Sequence, residues 1–333
     1  MAKSERLSYI DIAKGILIML VVFHHIPHIV KNAGMYDPFC LLLDSKRYIY
    51  TTFFMPAFFL VTGFCSNFDV PFFKFLKKNV KTILIPAFCL GAIAEWIRLI
   101  GLGETQLIAY CKLGFSTFIK FGGPYWFLSS LFLSKIIYWI ENRFVKSTKI
   151  KFTISLLLLI IGICISNRYS FVEYWYILHA LVFPLFLLVG QIEKNKQFHS
   201  NKYVFGCSLL IYGILIFLLK EHPSITAVIA VSDAYIPCFI ILSVCGSFIL
   251  LYICKKISSC GFLERLGKDS LVIYTLHIAI ARIMVNILSG CFCVSMMKSF
   301  LTFLFIYSAT LLILMLVAKC MNTKYLQFLI GKF

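Results

Sequence analysis

The chain is 333 residues long, 61% hydrophobic and only 14% charged, with a mean hydropathy of +0.91. Soluble domains carry about a quarter charged residues, so this composition excludes a water-soluble globular enzyme and predicts an all-α, multi-pass membrane protein. The formal net charge of +18 raises nucleic acid as a partner, and the placement of the basic residues argues against it.

A spanning helix needs about 20 mainly apolar residues. Ten segments meet that measure: 10–30, 47–67, 80–100, 124–140, 152–166, 173–189, 203–219, 232–254, 270–289 and 298–320. The fifth is short, bounded by Lys151 and Asn167. No connection is long enough for a separate soluble domain, so residues 1–333 read as one membrane-embedded unit. The first segment follows Lys3 and Arg6 but lacks a small-residue cleavage site, and is expected to stay as an anchor.

Lysine and arginine accumulate on the cytoplasmic side of membrane proteins. With both termini placed inside, 19 basic residues fall in inside segments and 7 in outside segments. The inside groups include Lys74, Lys77, Lys78 and Lys81; Arg143, Lys146, Lys149 and Lys151; and Lys255, Lys256, Arg265 and Lys268. The charge is therefore topological, and the partner it implies is the lipid bilayer, with no nucleic acid. Thirteen cysteines show no CxxC or CxxH spacing. Several, such as Cys89, Cys164, Cys207 and Cys245, lie in apolar runs, where cysteine acts as a small hydrophobe. No metal site is expected.

The first span, "DIAKGILIMLVVFHH", carries Asp11, Lys14, His24 and His25. At 100° per residue Lys14 and His25 stand ~20° apart on one helix face and ~16 Å apart along the axis. His24 points ~80° away from Lys14, and Asp11, three residues earlier, neighbours Lys14. Two readings stand for Asp11 and Lys14: a capping carboxylate with a snorkelling lysine, or the entrance of a polar path. Ionisable groups inside spans mark substrate or proton routes, and that reading is the stronger one for His25.

Further along, "FFMPAFFLVTGF" (53–64) predicts a span kinked at its proline. Glu95 and Arg98 have the spacing of a local ion pair. "FGGPYWFLSSLF" (121–132) breaks the chain at Gly-Gly-Pro and places Tyr125 and Trp126 at an interfacial aromatic belt. Glu173, His179 and Asp233 lie near the outer ends of their helices. "SLVIYTLHIAIAR" carries His277, with Arg282 further out. No internal repeat and no pair of broken helices is present.

The segments "DIAKGILIMLVVFHH", "FFMPAFFLVTGF", "KTILIPAFCLG", "GGPYWFLSSLF", "LVFPLFLLVGQ" and "LGKDSLVIYTLHI" occur in the order found in one family. The chain resembles the acyltransferase family 3 membrane proteins, and within them the fucose 4-O-acetylase-like branch. That family's first helix carries a basic residue, commonly Arg, then ten residues, then His. The spacing selects Lys14 and His25 here, with Lys where Arg is commoner. A lysine keeps the charge and loses the planar bidentate fork.

The resemblance implies transfer of an acyl group, acetyl above all, from cytoplasmic acyl-CoA to a sugar hydroxyl of a surface glycan or its lipid-linked precursor. It would take place in the bacterial cytoplasmic (inner) membrane. On that expectation His25 is the general base, with Lys14 and Asp11 in the catalytic line. Lys14, Lys81, Tyr125 and Trp126 are candidates for the acyl donor, which is a co-substrate. His277, Arg282 and Glu173 are candidates for acceptor handling or support. The competing expectation is a proton-coupled transporter or flippase that uses the same polar face.

Overall fold

The computed structural model describes residues 7–100, 126–169, 174–219, 231–291 and 295–332. Among them there is no strand, and nine helices are long and apolar enough to cross a membrane. In chain order the helices are α1 (Ser8–Asn32), α2 (Pro38–Lys46), α3 (Tyr48–Thr51), α4 (Phe54–Cys65), α5 (Phe72–Asn79) and α6 (Ile85–Ile100). They continue with α7 (Trp126–Phe144), α8 (Thr148–Arg168), α9 (Ile177–Val182), α10 (Pro184–Lys196) and α11 (Lys202–Leu219). The last are α12 (Ile236–Ile257), α13 (Gly261–Lys268), α14 (Ser270–Ile287) and α15 (Met296–Met321). The segment expected as the fourth span is helical as α7, but Lys135, Glu141 and Arg143 make it more polar than the nine. The expected fifth span is longer than its apolar run, because Lys149 and Lys151 extend the helix at its start.

The expected second span begins earlier than its sequence suggests. Asp37 caps α2 by accepting from the Cys40 amide at 2.7 Å, and Pro38 occupies the first helical position, where a missing N–H costs nothing. Helical structure then runs from Pro38 to Cys65, with a break at Thr52–Phe53. The break follows from Pro56. Proline has no N–H for the carbonyl four residues back, which is that of Thr52. In hydrocarbon that oxygen must find another donor, and Ser243 Oγ of α12 supplies it at 2.7 Å. The same solution recurs at Pro184, which separates α9 from α10. The carbonyl that it frees, Ala180 O, accepts from Ser134 Oγ of α7 at 2.9 Å.

Helix α1 is central. Ile12, Ala13, Leu17, Ile18, Val22 and Ile26 are buried, and it packs against α13, α14, α12, α4, α15 and α2. Its approach to α13 is set by two glycines. A Cβ on Gly15 would lie 2.2 Å from Leu263 O, and one on Gly267 would lie 1.9 Å from Asp11 O. Small residues allow such close approach in membrane helix pairs. Helix α11 stands at the periphery, with Leu210, Phe217 and Leu218 exposed, as a lipid-facing helix requires.

Contacts gather the lysine-rich segments at one end of the bundle. Ser8 Oγ donates to Glu264 Oε1 at 2.5 Å, and Trp139 Nε1 donates to Val70 O at 2.9 Å. Lys151 Nζ donates to Asn142 Oδ1 at 2.6 Å, and Lys255 Nζ to Ser200 Oγ at 2.6 Å. Asn322 Nδ2 donates to Asp269 Oδ1 at 2.9 Å. The opposite end is tied by Ser299 Oγ donating to Asp37 Oδ1 at 2.5 Å and by the Arg168–Asp233 ion pair at 3.1 Å.

Candidate active site

Because α1 is one continuous helix over Ser8–Asn32, Asp11, Lys14 and His25 keep the relationship that their spacing dictates. Asp11 is 3% exposed, with its carbonyl against Gly267. Lys14 and His25 are partly buried. Asp11 and Lys14 lie towards the lysine-rich end, where the Ser8–Glu264 bond holds the start of the helix, and His25 lies deep in the bundle.

His25 meets His277 of α14, the ring centroids 4.8 Å apart and the planes at 54°. His277 is 1% exposed. Its Nδ1 lies 2.6 Å from Tyr274 O. A carbonyl only accepts, so Nδ1 carries the hydrogen and Nε2 of the neutral ring presents a lone pair. That Nε2 is buried and has no hydrogen-bond partner among the described residues. A buried polar atom left open costs free energy, and here it lies in a ring packed on His25.

The neighbouring histidine faces elsewhere. His24 contacts the rings of Tyr50 and Phe54, at centroid distances of 6.0 and 5.8 Å. Its ring is 5.2 Å from that of His25. The ~80° offset from the helical repeat is thus realised as two different walls.

The other expected residues are distributed more widely. Lys81 lies in a π-helical turn, Val80–Leu84, between α5 and α6; π-bulges often mark functional positions. Its carbonyl is 2.4 Å from where a Cβ on Gly331 would stand, so the C-terminal segment docks on that turn. Trp126 starts α7 at the other end of the bundle, packed on His179 with centroids 5.0 Å apart, and is not brought to Lys81. It connects to the histidines through rings: Trp126 to Phe127 at 6.1 Å, Phe127 to Tyr274 at 5.0 Å, and Tyr274 to His277 at 5.8 Å. Arg282 is five residues beyond His277 on α14, ~140° around the helix, and makes no ion pair with any described residue. Asp233 is engaged by Arg168 at 3.1 Å and by Asn167 Nδ2 at 2.7 Å, which gives it a structural role. Tyr125, Glu173 and the Arg98 side chain lie outside the described residues.

Two features carry no sequence signal. Glu193 and His199 are fully buried side by side, with Glu193 Oε1 accepting from the His199 backbone N–H at 2.8 Å and contacting His199 Nδ1. Tyr9 stacks on His199 at 5.3 Å. The second is Lys135, midway along α7. Among the described residues no group of three or more His, Cys, Asp or Glu side chains could hold a metal ion.

A family model for an acyltransferase domain, that of acyltransferase family 3, matches residues 7–319. The chain belongs to acyltransferase family 3. No curated protein and no solved structure matches it. The matched region takes in the whole of α1 and α14, so the two histidines that meet in the bundle both lie within the domain of this membrane acyltransferase.

Proposed function

We propose that this acyltransferase moves an acyl group, acetyl in the simplest case, from acyl-CoA to a sugar hydroxyl, with His25 as general base. The acceptor is a cell-surface glycan or its lipid-linked precursor, and the setting is the bacterial cytoplasmic membrane with the lysine-rich end inside. The observation that carries the reading is the contact of His25, on the helix face that leads from Lys14, with the buried ring of His277.

A sugar hydroxyl is a weak nucleophile near neutral pH. A neutral imidazole that accepts its proton during attack on the thioester carbonyl lowers that barrier by about 10²- to 10⁴-fold in rate. The new C–O bond forms, the C–S bond breaks, and the imidazolium returns its proton to the departing thiolate. His277 acts as a positioning residue. Its Nδ1–H is fixed on Tyr274 O, so the ring is held in one orientation and packs against one side of the His25 ring.

Length supports one role for Lys14 over another. The ~16 Å axial interval from His25 exceeds the reach of a lysine side chain, so Lys14 is disfavoured as the group that polarises a carbonyl attended by His25. It suits the phosphate-bearing handle of the donor, and the extended pantetheine arm spans the interval. Lys81 belongs with the same handle. His25→Ala should abolish acyl transfer while the protein still inserts and accumulates. Transfer that survives this change would remove His25 from the mechanism.

A further inference from the structure

His24 is the member of the histidine pair that the proposed chemistry does not use. It sits at the depth of His25, eight residues before the end of α1, or ~12 Å of helix rise. Its ring lies 5.2 Å from the His25 ring and 6.0 Å from the Tyr50 ring, centroid to centroid. Tyr50 is fixed in turn by Phe23 and Phe54, which meet it edge to face with centroids 5.8 and 6.1 Å away. His25, His24 and Tyr50 thus form one row running from α1 to α3.

The polar atoms of this row are open. The ring nitrogens of His24 and His25 and the Tyr50 hydroxyl make no hydrogen bond to any described residue. None of these atoms is sealed from solvent as His277 Nε2 is, and all three residues are partly buried. The two histidines buried elsewhere differ: His277 Nδ1 is engaged by Tyr274 O, and His199 Nδ1 by Glu193. Phenylalanine would fill an aromatic packing role at position 24 without carrying two unpaired nitrogens into the bundle.

A neutral imidazole offers one donor and one acceptor, and a phenol offers both from one oxygen. Those groups complement alcohol hydroxyls, which also donate and accept. A sugar carries such hydroxyls on adjacent carbons, and the interval between the two imidazoles is no wider than one pyranose ring. Towards the outer end, Arg47 pairs with Asp44 at 3.1 Å, and Lys31 of α1 stands 4.0 Å from the same carboxylate. Those contacts tie the end of α1 to the corner that carries Tyr50.

We propose that His24 and Tyr50 read the acceptor: they hydrogen-bond a hydroxyl adjacent to the one that His25 deprotonates, and so select the position that receives the acyl group. This rests on the acyl-transfer reading above.

The test uses the full chain in nanodiscs with acetyl-CoA and, as acceptor, the surface glycan of the source cells stripped of acyl groups by mild alkali. Tyr50→Phe and His24→Phe keep the ring contacts and remove only the polar atoms. Each should raise the KM for the glycan by about 3- to 10-fold, the loss of one neutral hydrogen bond, with the KM for acetyl-CoA unchanged. NMR of the product should show acetyl groups spread to a second position on the same sugar. His24→Gln, which keeps a donor and an acceptor, should stay nearer to wild type. A single acetyl position in both Phe variants, or an equal change in the KM of donor and acceptor, would overturn the assignment. Failure of the wild-type chain to acylate the glycan would instead overturn the acyl-transfer reading, and this assignment with it.

Discussion

The His277 ring lies 4.8 Å from the His25 ring, centroid to centroid, and is held from behind by the carbonyl of Tyr274 at 2.6 Å from Nδ1. The contact joins α1 to α14, two helices far apart in sequence. On the proposed mechanism it orients His25. His277→Ala should therefore lower kcat by about 10- to 100-fold, the usual loss for a residue that orients another, with the KM for the donor unchanged. His277→Gln, which keeps an acceptor oxygen, should recover part of the rate. Steady-state kinetics on both variants would check this; a change confined to KM would assign His277 to binding.

The proline-freed carbonyls predict a stability effect. Ser243→Ala leaves Thr52 O without the donor that now lies at 2.7 Å, and Ser134→Ala does the same to Ala180 O. Each should cost about 0.6–2 kcal/mol, the range for hydrogen bonds inside membrane proteins. Reversible unfolding in detergent would measure it. A variant as stable as wild type would show that water or a neighbouring group takes the serine's place.

Helix α13 should be intolerant of any side chain at its contact with α1. Gly267→Ala places a Cβ 1.9 Å from Asp11 O, which is backbone and cannot rotate away, so a loss of about 1–3 kcal/mol or more is expected. Gly213→Ala on α11 meets nothing within 4 Å and serves as the control. Thermal stability and yield of the two variants should diverge; equal behaviour would contradict the close α1–α13 packing.

Glu264 gives a pH dependence whose sign can be worked out. The Ser8 hydroxyl donates to it at 2.5 Å, and that bond holds its carboxyl below the ordinary glutamate value. The Cys260 amide and Lys268 add to the effect. A carboxylate depressed in the folded state stabilises above its unfolded pKa, and the gain is lost as pH falls through the folded pKa. Ser8→Ala should lift the Glu264 pKa and narrow the stability gap between pH 7 and pH 3. Melting temperatures across that window would show it, and identical pH profiles would contradict it.

The site was legible where one continuous helix carries it. Lys14, His24 and His25 sit on α1 as the helical repeat requires, so their faces followed from spacing alone. His277 could be marked as an ionisable group in a span, but its pairing with His25 is tertiary and has no local pattern. Lys135 resembles a snorkelling lysine in sequence, and only the docking of α7 on α5 shows that its ammonium lies over the Phe75 ring. The Glu193–His199 pair depends on the turn after α10, where Gln197 adopts a positive φ of 52°, and no periodicity announces such a turn. The start of the second span was hidden because Asp44, Ser45, Lys46 and Arg47 interrupt its apolar run. The break in that span was legible at Pro56, yet it falls at Thr52–Phe53, where the carbonyl is lost.

The most direct test is the mass of the surface glycans on cells that express the wild-type chain or His25→Ala at equal membrane levels. The mechanism predicts a mass increment of one acyl group per modified sugar with the wild type and none with the variant. An increment that persists in His25→Ala, or one absent from wild-type cells that contain the acceptor and acyl-CoA, would contradict acyl transfer by His25.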